Sequence, residues 1–104
     1  MTQKEKDELN AIYRNQAEEP MKQLKTKIIK WYPLEISNIG VYSTIKVSYI
    51  RQMETEKPVY VVSYNFFNYN EIVEITLSYR LEDESIWKDD FQEIIKSFKF
   101  LKLN

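Results

Sequence analysis

Residues 41 to 82 constrain this chain more than any other stretch. They hold three runs, VYSTIKVSYIRQ (41–52), PVYVVSYNFF (58–67) and EIVEITLSYRLE (71–82), all rich in β-branched and aromatic residues and separated by METEK and by Asn68-Tyr69-Asn70. Short alternating runs bounded by turn residues read as three strands of an antiparallel meander. In the third run, Val73, Ile75, Leu77, Tyr79 and Leu81 share one parity and Glu74, Thr76, Ser78 and Arg80 the other. A one-residue slip would exchange the faces, so this parity argues for a register. The first run offers Val41, Ile45, Val47 and Tyr49 to the core and turns Tyr42, Thr44, Lys46 and Ser48 away, and the middle run then contributes Tyr60, Val62, Tyr64 and Phe66 to the shared core.

That register gathers Thr44, Lys46, Ser48, Ser63, Asn65, Glu74, Thr76 and Ser78 on the opposite face, with Val59, Val61, Ile50, Phe67 and Ile72 among them. Such a mixed face suits partial cover by a helix, solvent, or a partner. The candidate binding residues are Thr44, Lys46, Ser48, Val61, Ser63, Asn65, Glu74 and Thr76.

The flanking segments are helical. Thr2 and Glu5 have capping-box spacing, and Leu9, Ile12, Tyr13 and Ala17 recur on one face until Pro20, which predicts a helix over about 3–19 and a short turn through Met21 and Leu24. The segment 26–38 is β-rich but interrupted by Pro33, as an edge strand or two extended pieces would be, and Gly40 marks a turn. At the other end, WKDDFQEIIKSFKF places Trp87, Phe91, Ile94, Ile95 and Phe98 within an arc of about 100°, so a helix over about 86–98 covers the Tyr60, Val62, Tyr64 face. Ser85 is the expected N-cap. Glu82, Asp83, Glu84, Asp89 and Asp90 near the start of this helix, and Lys96, Lys99 and Lys102 near its end, both suit its dipole.

The 104 residues fit a single domain spanning 1–104, and the fold class is α+β: an antiparallel sheet with an N-terminal and a C-terminal helix. Composition then prunes the chemistry. The chain has no cysteine and no histidine, which excludes disulfides, thiolate or imidazole zinc sites, and the Ser-His-Asp and Cys-His mechanisms. Its one glycine cannot build a phosphate-cradling loop, and a net charge of −1 with interspersed signs gives no case for nucleic acid. No apolar run reaches the roughly 20 residues that span a bilayer, so no membrane insertion is expected.

The stretch PVYVVSYNFFNYNEIVEITLSYRLEDESIWKDDFQEIIKSFKF resembles the C-terminal half of PsbP-like domains, the α/β/α sandwiches of the photosystem II extrinsic protein and its bacterial relatives. The resemblance covers about residues 40–103 and rests on Tyr79 and Arg80 in a strand, on Trp87, and on a closing helix with Phe91, Ile94 and Ile95 that ends in Ser97-Phe98-Lys99-Phe100. The N-terminal hairpin of such domains has no match, so the resemblance implies a shortened sandwich whose open edge is covered by the 26–38 segment or by another subunit. It implies a binding or assembly role, as for the Ran-binding and thylakoid-lumen members, and no catalytic set. It also implies the cell envelope, whereas the lack of a signal segment argues for the cytoplasm if Met1 is the native start.

Each remaining chemical candidate has a plainer reading. The acidic residues from Glu82 to Asp90 lack the ligand loop of a calcium site and read as helix-start carboxylates. The aromatics near Lys46, Arg51 and Arg80 read as packing rather than a stacking platform for bases. A tyrosine/carboxylate proton-transfer pair, Tyr64 with Glu74, falls on opposite faces in the register above. The expectation is a binding or assembly module without metal, cofactor or turnover, acting on a protein partner or on a second copy through a sheet face or edge; a small-ligand pocket protein or a tyrosine/carboxylate proton-transfer enzyme is the alternative.

Overall fold

A computed structural model of the protein describes residues 2–98. At its start the Thr2 hydroxyl accepts from the Glu5 amide at 3.1 Å, while the Thr2 amide donates to Glu5 Oε1 at 3.4 Å. This capping box opens helix α1 (Gln3–Glu18). Pro20 lacks the amide that the next turn needs, and the chain tightens into a 3-10 turn over Glu19–Gln23. Leu9 and Tyr13 pack against the sheet, but Ile12, expected beside them, falls on the outer flank and is exposed.

Four antiparallel strands follow in sequence order: β1 (Thr26–Ile39), β2 (Tyr42–Met53), β3 (Val59–Asn68) and β4 (Glu71–Arg80). The extended segment is thus one long edge strand. Its pairing with β2 slips between Ile28 and Lys30 and again between Tyr32 and Glu35, so Pro33 sits in a bulge, where its missing donor costs nothing. Gly40 and Val41 form the turn to β2, with Gly40 at φ +62. Val41 is 89% exposed, which corrects its expected place in the core. Asn68 closes β3, leaving Tyr69 and Asn70 as a two-residue turn into β4.

After β4 a 3-10 turn, Leu81–Asp83, leads into helix α2 (Glu84–Lys96). The helix therefore begins earlier than Ser85 capping requires: Asp83 holds the N-cap position without a side-chain bond, and Ser85 lies in the first turn. Lys96 stands in the last turn, and the expected contributions of Lys99, Phe100 and Lys102 lie outside the described residues.

The two helices cover opposite faces, giving an α+β arrangement of helix, sheet and helix. On the α2 face, Val62, Tyr64, Phe66 and Ile95 are buried with Phe91, Phe98, Ile75 and Leu77 around them. The α1 face buries Leu34, Ile45 and Val47 against Leu9, Tyr13, Trp31 and Phe67. The stripe on α2 is narrower than its sequence suggests, since Trp87 and Ile94 are 44% and 47% exposed. None of the helices among the described residues is long and apolar enough to cross a membrane.

The register of β3 with β4 is the expected one, Tyr64 opposite Ile75 and Val62 opposite Leu77. That of β2 with β3 is not. Lys46 pairs with Tyr64 and Ser48 with Val62, so Thr44, Lys46 and Ser48 belong to the α2 face, while Ile45, Val47 and Tyr49 join Asn65, Ser63 and Val61 under α1. The cause is that β3 is apolar on both parities, with Val61 and Phe67 on one side and Val62, Tyr64 and Phe66 on the other. A strand covered on both faces does not announce its register.

Candidate functional site

Among the described residues, a helix on each side of a four-stranded sheet leaves a cleft on each face. The first lies between the sheet and the C-terminal half of α1 with its 3-10 turn. It has a volume of about 630 Å³, within the roughly 300–1,000 Å³ of small-ligand sites. Its origin is local. The middle of α1 is drawn onto β1 and β2 by Leu9, Tyr13 and Asn10, whose Oδ1 accepts from both the Trp31 indole N–H and the Leu34 amide at 3.0 Å. Beyond it the floor carries the small side chains Ser63, Thr76 and Ser78, which leave the space under α1 unfilled.

The cleft has two chemical halves. Ala17, Pro20, Met21, Leu24 and Met53 form an apolar roof and rim, with Val47 and Val61 beneath. The polar groups are the hydroxyls and amide of the floor, the phenols of Tyr13 and Tyr49, and the charges of Glu74 and Arg51. Asn65 is buried and donates to the Ile45 carbonyl at 3.3 Å, Ser63 and Thr76 share a hydrogen bond at 2.8 Å, and Thr76 donates to Glu74 at 3.2 Å. Burial, reinforced by the Glu74 charge, raises the pKa of Tyr13; burial also raises that of Tyr49, with Arg51 opposing and Glu74 adding to it. Both phenols are therefore neutral donors at physiological pH. Arg51 is half-buried and makes no ion pair or side-chain hydrogen bond among the described residues. The side-chain oxygen of Thr26, on the same cleft, is buried without a hydrogen-bond partner.

The second cleft, about 550 Å³, opens between α2 and the β1 side of the other face, lined by Tyr32, Tyr60, Tyr64 and Tyr79. It holds two half-buried lysines: Lys46 meets Glu35 at 3.3 Å, and Lys6, on α1, makes no ion pair among the described residues. Burial works to lower the Lys46 pKa, but Tyr64, Tyr60 and Glu35 outweigh it, so the amine stays charged. Tyr79 donates to Glu84 at 3.4 Å, and burial together with that carboxylate pushes its pKa up to about 12. In the unfolded chain this phenol ionises near pH 10, so between pH 10 and 12 the unfolded state sheds a proton that the folded state keeps. Stability is therefore complete below pH 10 and falls as pH rises through that window. Denaturant unfolding across pH 9–12 is expected to show a decline that is shallower in Tyr79→Phe; equal slopes would contradict this.

The structure thus divides the eight candidate residues. Val61, Ser63, Asn65, Glu74 and Thr76 meet in the first cleft, whereas Lys46 and Ser48 line the second and Thr44 is fully buried on that same face. Tyr64 and Glu74 stand on opposite faces. Arg51, Tyr49 and Tyr13 were missed as a group. Their only sequence signal is that Arg51 shares the parity of Val47 and Tyr49, which places a cation on an otherwise apolar strand face. Among the described residues no group of three or more carboxylates is positioned to hold a metal ion. Comparison with protein-family models, curated proteins and solved structures finds no match.

Proposed function

We propose that the protein is a binding module without turnover that holds a small amphipathic carboxylate in the α1-side cleft. The observation that carries this reading is Arg51, a half-buried arginine without an ion pair among the described residues, in the lining of a largely apolar cavity. A partly buried cation without a partner carries a desolvation cost, and an anionic head group supplies a partner. The ligand's tail then lies under Ala17, Met21 and Leu24 against Val47 and Val61, with the floor hydroxyls and the Tyr49 phenol as further donors. Glu74 repels an anion, which sets the head at the Arg51 end. The second cleft is the weaker candidate because its lining is more polar and Lys46 within it is already paired with Glu35. The PsbP-like resemblance of the C-terminal half points in the same direction, toward binding rather than catalysis.

Trp31 stacks on Tyr49 at 5.5 Å, so its fluorescence reports on the cleft wall. Decanoate is expected to change this emission saturably in a Trp87→Phe background. Arg51→Met should weaken decanoate roughly ten- to hundredfold, the worth of a charge-assisted hydrogen bond, while leaving decanol unaffected. Equal loss of both probes, or of neither, would contradict an anion site at Arg51.

A further inference from the structure

We propose that the protein forms a twofold dimer by pairing β4 with β4 of a second copy, which joins the two sheets into one of eight strands. The argument begins with the contrast between the two sheet edges. The β1 edge is protected: it carries two register irregularities, Pro33, and the lysines Lys27 and Lys30. Bulges, proline and lysine are the devices by which proteins prevent edge-to-edge pairing. β4 has none of these three; its charged residues are Glu71, Glu74 and Arg80. It runs regularly from Glu71 to Arg80 without proline, lysine or bulge.

Among the described residues no strand pairs with the outer side of β4, and its outward hydrogen-bonding groups can be assigned. Leu81 donates its amide to the Pro58 carbonyl at 3.0 Å, and pairs on an antiparallel ladder alternate. Odd-numbered residues of β4 therefore turn their amides and carbonyls toward β3, and Glu74, Thr76, Ser78 and Arg80 turn theirs outward. A twofold pairing must keep each face of the sheet on its own side, so only residues of like parity meet. One such register is self-complementary in charge: Glu74 opposite Arg80 of the second copy, Thr76 opposite Ser78, and Leu77 on the axis. Within one copy, the contact of Arg80 with Glu82 is a loose 3.8 Å one, and Glu82 is shared with Lys57. It makes about eight main-chain hydrogen bonds and two opposite-charge pairs. Shifting the pairing by one step in either direction loses the charge match.

The α2 face of the edge is apolar in the same sense. Lys88 and Gln92 line the cleft toward β1, so the opposite flank of α2, bearing the half-exposed Trp87 and Ile94, lies toward the open edge. In the dimer these side chains meet their counterparts across the axis above Ile75 and Leu77. On the α1 face the exposed floor residues Glu74, Thr76 and Ser78 become interior to a continuous sheet, so the two α1-side clefts open onto one shared floor.

The test uses sedimentation velocity over a dilution series. The wild-type protein is expected to dimerise reversibly. Glu74→Arg and Arg80→Glu, each placing like charges opposite one another, should weaken the dimer at least about tenfold when alone. Mixing the two variants should restore dimers, because each then supplies the other's opposite charge. The chain has no cysteine, so Leu77→Cys places a single thiol on the axis, where a non-hydrogen-bonded pair brings Cα atoms to about 4.5 Å and mild oxidation should link the copies. A wild-type protein that stays monomeric up to millimolar concentration would overturn the proposal. So would a dimer indifferent to both charge reversals, or a Leu77→Cys protein that does not cross-link.

Discussion

Phe66→Ala is expected to lower the unfolding free energy by about 3–5 kcal/mol, the largest effect of any single truncation in this molecule. Phe66 is 0% exposed and lies where β3 meets the end of α2. Its ring is 4.1 Å from that of Phe98, with Tyr42 at 6.4 Å in an edge-on contact and Tyr64 at 6.5 Å. Truncation removes the transfer free energy of the ring and leaves a cavity walled by other aromatics, which cannot collapse without breaking their mutual contacts. Urea unfolding checks this: the midpoint should fall with little change in slope. A loss below about 1 kcal/mol would mean that α2 is held by something other than this ring cluster.

Asn10→Ala is the second large effect, at about 2–4 kcal/mol, although Asn10 buries little apolar surface. Its one carbonyl oxygen serves two donors, the Trp31 indole and the Leu34 amide. The Leu34 amide is available because the bulge at Pro33 removes it from the ladder with β2. Removing the acceptor leaves two donors without a partner beside Leu34, which is 1% exposed. Asn10→Asp keeps an acceptor and should cost much less. Amide exchange separates this cause from a general loss of stability: Leu34 should lose protection in Asn10→Ala more than the central residues of β3 do. Uniform loss across the sheet would contradict the pinning role.

These two residues show what the sequence discloses and what it hides. The meander, both helices, the capping box and the edge character of the Pro33 strand all follow from local signals: alternation, a Thr-x-x-Glu pair and a proline. The register of β2 against β3 did not follow, because helices on both faces make both parities of β3 apolar. That ambiguity carried Thr44, Lys46 and Ser48 to the wrong side of the sheet and hid the grouping of Arg51 with Tyr49, Ser63 and Asn65. Asn10 was invisible for a different reason. Its function depends on a donor freed 24 positions away by a bulge, and no local pattern encodes that pairing.

The same architecture explains why a cleft exists at all. A helix tethered at Asn10 and Tyr13 and broken at Pro20 stands off a floor of serine and threonine, and nothing else in the described chain fills the gap. The α2 face shows the opposite solution, in which aromatic side chains from β3, β4 and α2 interlock. One face of the sheet therefore carries most of the packing, and the other carries the cleft proposed above to bind a carboxylate.

The most direct test of that division is an amide chemical-shift titration of the full chain with decanoate. Saturable shifts should appear at Ala17 to Thr26, at Val47 to Met53 and at Val61 to Asn65, all around the α1-side cleft and its arginine. Shifts concentrated instead at Tyr32, Tyr60, Tyr79 and Phe91, or none at all up to millimolar decanoate, would contradict the account.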